Sequence, residues 1–210
     1  TLKTPKAQPE GCFRCSATIV TAHVDITESV TEIRTYVFDT ETSSLRSDIG
    51  SLRVACFAEL NSEGEIFKIL TRDVLEMHGE KNLAQWIAHR IEEADILIGH
   101  NVKAFDKNFI NGVLIRHDLP KLPKRFYIDT LMVARYDMKA LIQSNSLENL
   151  ADYLRLTIQK DKPSKHSWRS ANDMEELGMK KIRKRCISDV QVTALLWEKL
   201  KPFWLEARGV

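Results

Sequence analysis

Long apolar runs are missing from this sequence. None approaches the roughly 18–20 residues that a membrane-spanning helix needs, so no membrane partner is expected. The opening TLKTPKAQPE lacks the apolar core of a signal peptide, and an intracellular location is expected. An excess of charge of one sign is missing too. A net charge of +2 over 210 residues names no partner class by itself. There are no internal repeats or low-complexity segments. Cysteine is scarce, with four residues. Cys56 and Cys186 sit in apolar surroundings in the sequence and read as buried thiols. Cys12 and Cys15 form a CxxC, which can be half of a zinc site. No second CxxC follows and only His23 is near in sequence. The alternative to a zinc site is therefore a turn carrying two small thiols.

What is present supports one sizeable domain. A hydrophobic content of 43% can build a core, and 29% charged residues give an ordinary solvated surface. The positive charge is uneven. Residues 157–185 hold nine Lys or Arg against four Asp or Glu and end in KKIRKR. Such a stretch suits a polyanion, and reads equally as a solvated helix face.

Residues 1–33 are polar and carry Pro5, Pro9 and Gly11, so they are expected to be an appendage with a short hairpin. The texture turns globular from there, and residues 34–205 are expected to form one domain. RTYVFD alternates and is rich in β-formers, so it predicts a strand ending near Asp39. SLRVACFAEL and EIFKIL, separated by the turn-forming NSEG, predict a hairpin. Leu83, Trp86, Ile87 and Ile91 form a helical stripe. ADILIGHN and RFYID predict short buried strands, and AFDKNFINGVLIRHDL predicts a helix between them. Asp129 and Ser146 are candidate N-caps for two further helices. A polar stretch around KDKPSKHSWR leads into a last helix running to about Lys199. The pattern predicts an α/β fold: a mixed sheet, part antiparallel hairpin and part parallel strands, with helices on both faces.

Four carboxylates occupy telling places. Asp39 and Glu41, in FDTET, lie two apart at a strand's carboxyl end and so point to one face. Two carboxylates there repel and cannot be buried cheaply without a cation, although a DxE at a strand end is commonly just exposed. Asp106 follows the buried strand ILIG at a helix start, where an Asp ordinarily complements the helix dipole. Asp189 falls on the apolar side of the last helix, beside Cys186 and Val190. Charge is rarely buried there unpaired.

In order and spacing these segments resemble the DEDD 3′→5′ exonucleases. FDTET is similar to their first motif, GHNVKAFD to the second and CISDV to the third. IDTLMVAR and SLENLADYLRL resemble stretches between motifs two and three, and the likeness covers roughly residues 34–200. It is nearest to exonucleases related to the proofreading domains of family B DNA polymerases. The resemblance implies an RNase H-like fold and hydrolysis of single-stranded nucleic acid from its 3′ end. It further implies two Mg²⁺ or Mn²⁺ ions about 3.5–4 Å apart. Asp39 would bridge both ions. Glu41 and Asp189 would hold the one that activates water, and Asp106 would support the other, partly through water. Thr40, Thr42 and Leu45 match positions that contact the 3′-terminal nucleotide, while Asn101 and Phe105 shape the second motif; capping and packing account for these five equally well. DNA is favoured over RNA, although nothing in the residues reveals recognition of a 2′-hydroxyl. A structure-selective endonuclease and a catalytically weak nucleic-acid-binding module are the alternatives.

The third motif departs from the family. A Tyr four residues before the last Asp, or a His five before it, ordinarily handles the nucleophilic water. Arg185 and Lys184 stand at those positions. Arginine stays charged and cannot be a base. Arg185 stands one helical turn from Asp189. It is expected either to pair with a site carboxylate or to contact a substrate phosphate, unless it turns outward to solvent. His166 is the histidine nearest in sequence, but at the wrong spacing.

Overall fold

The computed structural model describes residues 33–158 and 163–209. Cys12, Cys15 and the expected appendage up to residue 32 lie outside them.

The sheet has five strands. β1 (Thr35–Thr42), β2 (Leu52–Leu60) and β3 (Ile66–Asp73) form an antiparallel meander. β4 (Ile96–Gly99) and β5 (Phe126–Asp129) add in parallel on the other side of β1, for a spatial order β3-β2-β1-β4-β5. The NSEG turn closes β2–β3 with Gly64 at φ 88 and the Asn61 side chain accepting from the Glu65 N–H at 2.7 Å. Both features are ordinary turn chemistry.

β1 and β2 are covered on both faces, which is why they read as nearly continuous apolar runs. On one face Phe38 stacks on Phe57, which meets Trp86 of α1 (Glu80–Glu93) edge-on. Asp39 pairs with Cys56 in the ladder, so both point to the opposite face. There they meet Cys186 of α6 (Glu176–Glu206). Helices thus lie on both faces, as the sequence pattern predicts. α2 (Asp106–Arg116) lies beside α1. Between β5 and α6 come α3 (Thr130–Met132), a π-helical stretch Val133–Met138, α4 (Leu147–Tyr153) and α5 (Lys165–Asn172).

Three elements differ from the sequence pattern. α5 forms where a polar stretch is expected. Ser164 caps it by accepting from the Ser167 N–H at 3.1 Å, and Ser167, Ser170 and Ala171 are its buried face. The segment after Asp129 widens into a π-helix, ended by Lys139 at φ 53. The last helix runs past Lys199 and through Pro202. Proline removes one helical hydrogen bond, but aromatic packing holds the final turns. Trp204 sits edge-on to Trp197 at 5.7 Å and to Phe126 at 6.3 Å. Among the described residues no helix is long and apolar enough to cross a membrane.

Candidate active site

Strand alternation determines which carboxylates can meet. Asp39 and Glu41 leave β1 on the face covered by α6, and Asp189 comes from α6 itself. One oxygen from each of the three lies within 4.8 Å of the others. Glu41 and Asp189 are buried, and Asp39 is partly exposed. The helix is docked by Cys186, one turn before Asp189, whose thiol approaches the Asp39 carbonyl at 3.4 Å and its Oδ2 at 3.7 Å. Burial, contact with Cys56 and the Asp39 charge push the Cys186 thiol well above its ordinary range. It therefore stays protonated and donates to Asp39.

Three anions this close cannot be buried without compensation. Arg185 supplies part of it. Its Nε donates to Glu41 Oε1 at 2.8 Å, and its Nη2 lies 3.7 Å from Asp189 Oδ2. Burial works to lower its pKa, but the charges of Glu41, Asp189 and Asp39 outweigh burial and raise it. The guanidinium also lies 5.5 Å from the ring centre of Trp168, on α5, a cation–π arrangement. Arg185 brings one positive charge to this set of three carboxylates. An all-oxygen donor set of this density fits a hard divalent cation such as Mg²⁺ or Mn²⁺.

Asp106 is elsewhere. It starts α2, is 2% exposed, and is not among the three carboxylates that meet within 4.8 Å. Its Oδ1 accepts from the Thr40 N–H at 3.1 Å and the Thr40 hydroxyl at 2.6 Å. Thr40 thus points away from Asp39 and Glu41. Burial pushes the Asp106 carboxyl up to about 6 against the pull of these bonds, and the charge of Asp129 adds to the rise. The arrangement braces the backbone between the two carboxylates of β1.

Asp39 and Asp189 open onto a cleft of about 410 Å³, walled also by His100, Asn101, Arg135 and residues 144–147. The second-motif loop forms one wall. Gly99 is needed there, because a Cβ would come within 2.7 Å of the Val102 Cβ and 3.1 Å of the Phe38 carbonyl. Asn101 adopts φ 65, a left-handed conformation that asparagine tolerates. Asp129 fixes this loop. Its carboxylate accepts from the N–H groups of Asn101 and Lys103 at 2.9 and 3.0 Å, besides capping α3 through the Leu131 N–H at 3.1 Å. His100 Nδ1 lies 2.9 Å from the Thr130 hydroxyl, which donates to the Gly99 carbonyl. The hydroxyl therefore accepts from Nδ1–H.

The remaining expected contacts divide. Asn101 lines the cleft. Leu45 is 82% exposed on the loop after β1. The Thr42 hydroxyl donates to the Ser44 carbonyl at 2.7 Å, and Phe105 packs on Phe109. Both serve local structure. His166 is exposed on α5 and does not line the cleft. Three members of the basic run have ion-pair partners in the fold. Lys180 pairs with Glu176, Arg183 with Asp73 and Glu76, and Arg185 with Glu41. His100 and Trp168 give no separate signal in the sequence. The loop-holding role of Asp129 is likewise hidden behind its legible one as a helix cap.

No curated protein sequence matches the chain significantly. Many solved structures share its fold, among them two nucleic-acid enzymes. A family B DNA polymerase from the hyperthermophilic archaeon Pyrobaculum calidifontis superposes with TM-score 0.63 at 15% identity, over 81% of this chain and 25% of the polymerase. Escherichia coli Exonuclease I, in complex with a dT13 oligonucleotide, superposes with TM-score 0.56 at 14% identity, over 84% of this chain. The match spans 43% of that enzyme's length. The sequence model of the RNase H superfamily matches residues 36–200, from the start of β1 to near the end of α6. With the five-stranded mixed sheet and its two covered faces, this makes the chain a member of the RNase H superfamily.

Proposed function

We propose that the domain from residue 34 to 205 is a metal-dependent 3′→5′ exonuclease acting on single-stranded nucleic acid, DNA in preference to RNA. The observation that carries this reading is the meeting of Asp39, Glu41 and Asp189 within 4.8 Å, with Asp39 and Asp189 lining an open cleft. Buried acids crowded in this way have little structural value without a cation. Both fold neighbours point the same way, since one is an exonuclease with an oligonucleotide bound and the other a DNA polymerase.

Asp39, Glu41 and Asp189 would hold the Mg²⁺ or Mn²⁺ ions that the family resemblance implies. Asp106 would support them from outside this cluster while bracing Thr40. Bound there, the cations supply Lewis-acid stabilisation of the displaced oxygens and a water of lowered pKa. The chain's own groups do the remainder. Asn101 shapes the cleft wall, and Leu45 offers an exposed apolar surface to the terminal nucleotide. Arg185 holds Glu41 and Asp189 in this structure, and its planar fork of donors is also suited to a substrate phosphate. Its presence where the family carries Tyr or His favours a second reading, a domain that binds nucleic acid and cleaves it weakly. Zinc at Cys12 and Cys15 remains part of the proposal for residues 1–33 only as a structural site.

The test is an end-labelled oligonucleotide, as DNA and as RNA, incubated with Mg²⁺ or Mn²⁺. A ladder receding from the 3′ end supports the exonuclease. Internal cuts indicate a structure-selective endonuclease, and retention without cleavage the binding module.

A further inference from the structure

The outer edge of the sheet, at β5, carries a second groove of about 260 Å³. Phe126, Tyr127, Tyr136 and Trp204 line it together with Lys103 and Arg208. Aromatic residues make up 8% of the chain, so four in one groove is a local concentration. Two of the rings are presented to solvent, Phe126 at 54% and Tyr136 at 58% exposure.

Cations stand among these rings. The Arg208 guanidinium lies 4.5 Å from the Trp204 ring centre, and Lys107, outside the groove lining, places its ammonium 5.2 Å from that of Tyr127. The two acids of the groove are already engaged. Asp137 pairs with Arg208 at 3.0 Å, and Asp129 accepts the backbone N–H groups of Asn101, Lys103 and Leu131. Exposed aromatic rings with Lys103 and Arg208 beside them suit an unpaired nucleotide chain, although the two acids leave the lining with no net charge. Every base has a π-face to stack, and every phosphate a charge to neutralise.

The groove adjoins the cleft across a ridge formed by the second-motif loop and the helix after β5. Asn101 lines the cleft, and Lys103, two residues on, lines the groove. Leu131 and Arg135 face the cleft, while Met132 and Tyr136 face the groove. The two depressions are the two sides of one ridge, whose halves are joined by the Asp129 carboxylate.

We propose that this groove is a second nucleotide subsite, in which Tyr136 and Phe126 stack a base of single-stranded nucleic acid while Lys103 and Arg208 meet its phosphates. It takes the part of the strand that lies beyond the ridge from the end held in the cleft. This inference rests on the exonuclease reading for the identity of the strand, but its test does not require cleavage.

The experiment is equilibrium binding of fluorescent oligodeoxythymidylate, a dodecamer and a trinucleotide, with EDTA present so that nothing is cut. Tyr136→Ala should weaken the dodecamer roughly tenfold, the order expected for one stacked base, and Tyr136→Phe should restore parental affinity. Lys103→Ala should lower the slope of log K against log salt by about 0.7, one phosphate contact on a single strand. The trinucleotide, short enough to end within the cleft, should bind all forms alike. Equal dodecamer affinity for the parent and Tyr136→Ala overturns the subsite, as does no binding by the parent at low salt. Tyr136-dependent binding by a protein that never cleaves with Mg²⁺ keeps the subsite and overturns the exonuclease. Cleavage with Tyr136-independent binding does the reverse.

Discussion

Arg185 donates its Nε hydrogen to Glu41 at 2.8 Å, and so an arginine of α6 is the internal counter-ion of a carboxylate on β1. The pair stands where a divalent cation would provide the same compensation more strongly. In the proposed site, arginine and metal would therefore compete for Glu41 and Asp189.

Arg185→Ala should show the competition directly. Without cation, the variant leaves three crowded carboxylates with less compensation, and should lose about 1–3 kcal/mol of stability. The figure is below that for a fully buried pair because the Arg185 side chain is 22% exposed. Saturating Mg²⁺ should recover the loss, and the Mg²⁺ needed for half-maximal stabilisation should fall. Thermal unfolding over a Mg²⁺ series measures both. Parallel titration curves for parent and variant would mean that the guanidinium and the cation do not share ligands. Arg185→Tyr, which restores a hydroxyl able to orient water, should raise single-turnover cleavage at neutral pH.

Asp39→Ala should abolish cleavage, by at least about a hundredfold, because the charge stabilisation expected of the site acts on the transition state. The apo protein should not lose stability by the change, since one of three repelling carboxylates is removed. Turnover at the parental rate by purified Asp39→Ala would sink the metal assignment.

Much of this was legible in the residues, for identifiable reasons. Alternation in RTYVFD placed Asp39 and Glu41 on one face, and the apolar neighbours of Asp189 marked a charge on the wrong side of a helix. Those are local periodicities, and local periodicity is what a sequence displays. The fate of Asp106 was not visible in this way. Its position at the start of α2 is legible, but its bonds to Thr40 depend on β1 being unpaired by β4 beyond Val37. Trp168 was hidden because α5 buries only serines and an alanine, which leaves no apolar stripe. One member of the basic run is hidden for a related reason. Arg183 pairs with Asp73 and Glu76, more than a hundred residues away in the chain, and no window of sequence shows that.

Glu80 yields a prediction about pH. Its carboxylate accepts from the Leu52 N–H at 2.8 Å, from Arg116 at 2.7 Å and from His117 at 2.9 Å, tying α1 to α2 and β2. Burial alone would raise its pKa. The bonds from His117, Leu52 and Arg116, with the Arg116 charge, outweigh burial and hold it below the usual 4.5. A carboxylate depressed in the folded state stabilises the fold above its unfolded pKa, and that contribution is lost as pH falls through the folded value. Glu80→Gln should therefore be less stable than the parent at pH 7, by about 1–2 kcal/mol. The gap should close as pH drops below about 4. Urea unfolding across that range checks it, and a gap that widens in acid would reverse the sign of the argument.

Asp129 supports the sharpest distinction between holding the site and belonging to it. The carboxylate is 3% exposed and accepts three backbone N–H groups, two from the loop that carries Asn101 and one from α3. Removing it strands those donors and releases a loop whose Asn101 is held at φ 65. Unmade bonds of this kind cost on the order of 1–3 kcal/mol. Asp129→Ala should accordingly lower stability by about 2–3 kcal/mol, whereas Asp39→Ala should not lower it at all. Both substitutions remove one carboxylate within the same fold, so a difference in sign between them separates the two roles. Asp129→Asn retains one carbonyl oxygen and should recover part of the loss, because it can still accept from the Asn101 and Leu131 N–H groups that share Oδ1 in the parent. Amide hydrogen exchange gives the local readout. The Asn101 and Lys103 amides should lose protection in Asp129→Ala, regain it at Asn101 in Asp129→Asn, and be unchanged in Asp39→Ala. Equal protection at Asn101 in all of these proteins would mean that the loop is held by its own packing, and that the three bonds to Asp129 accompany its shape without setting it.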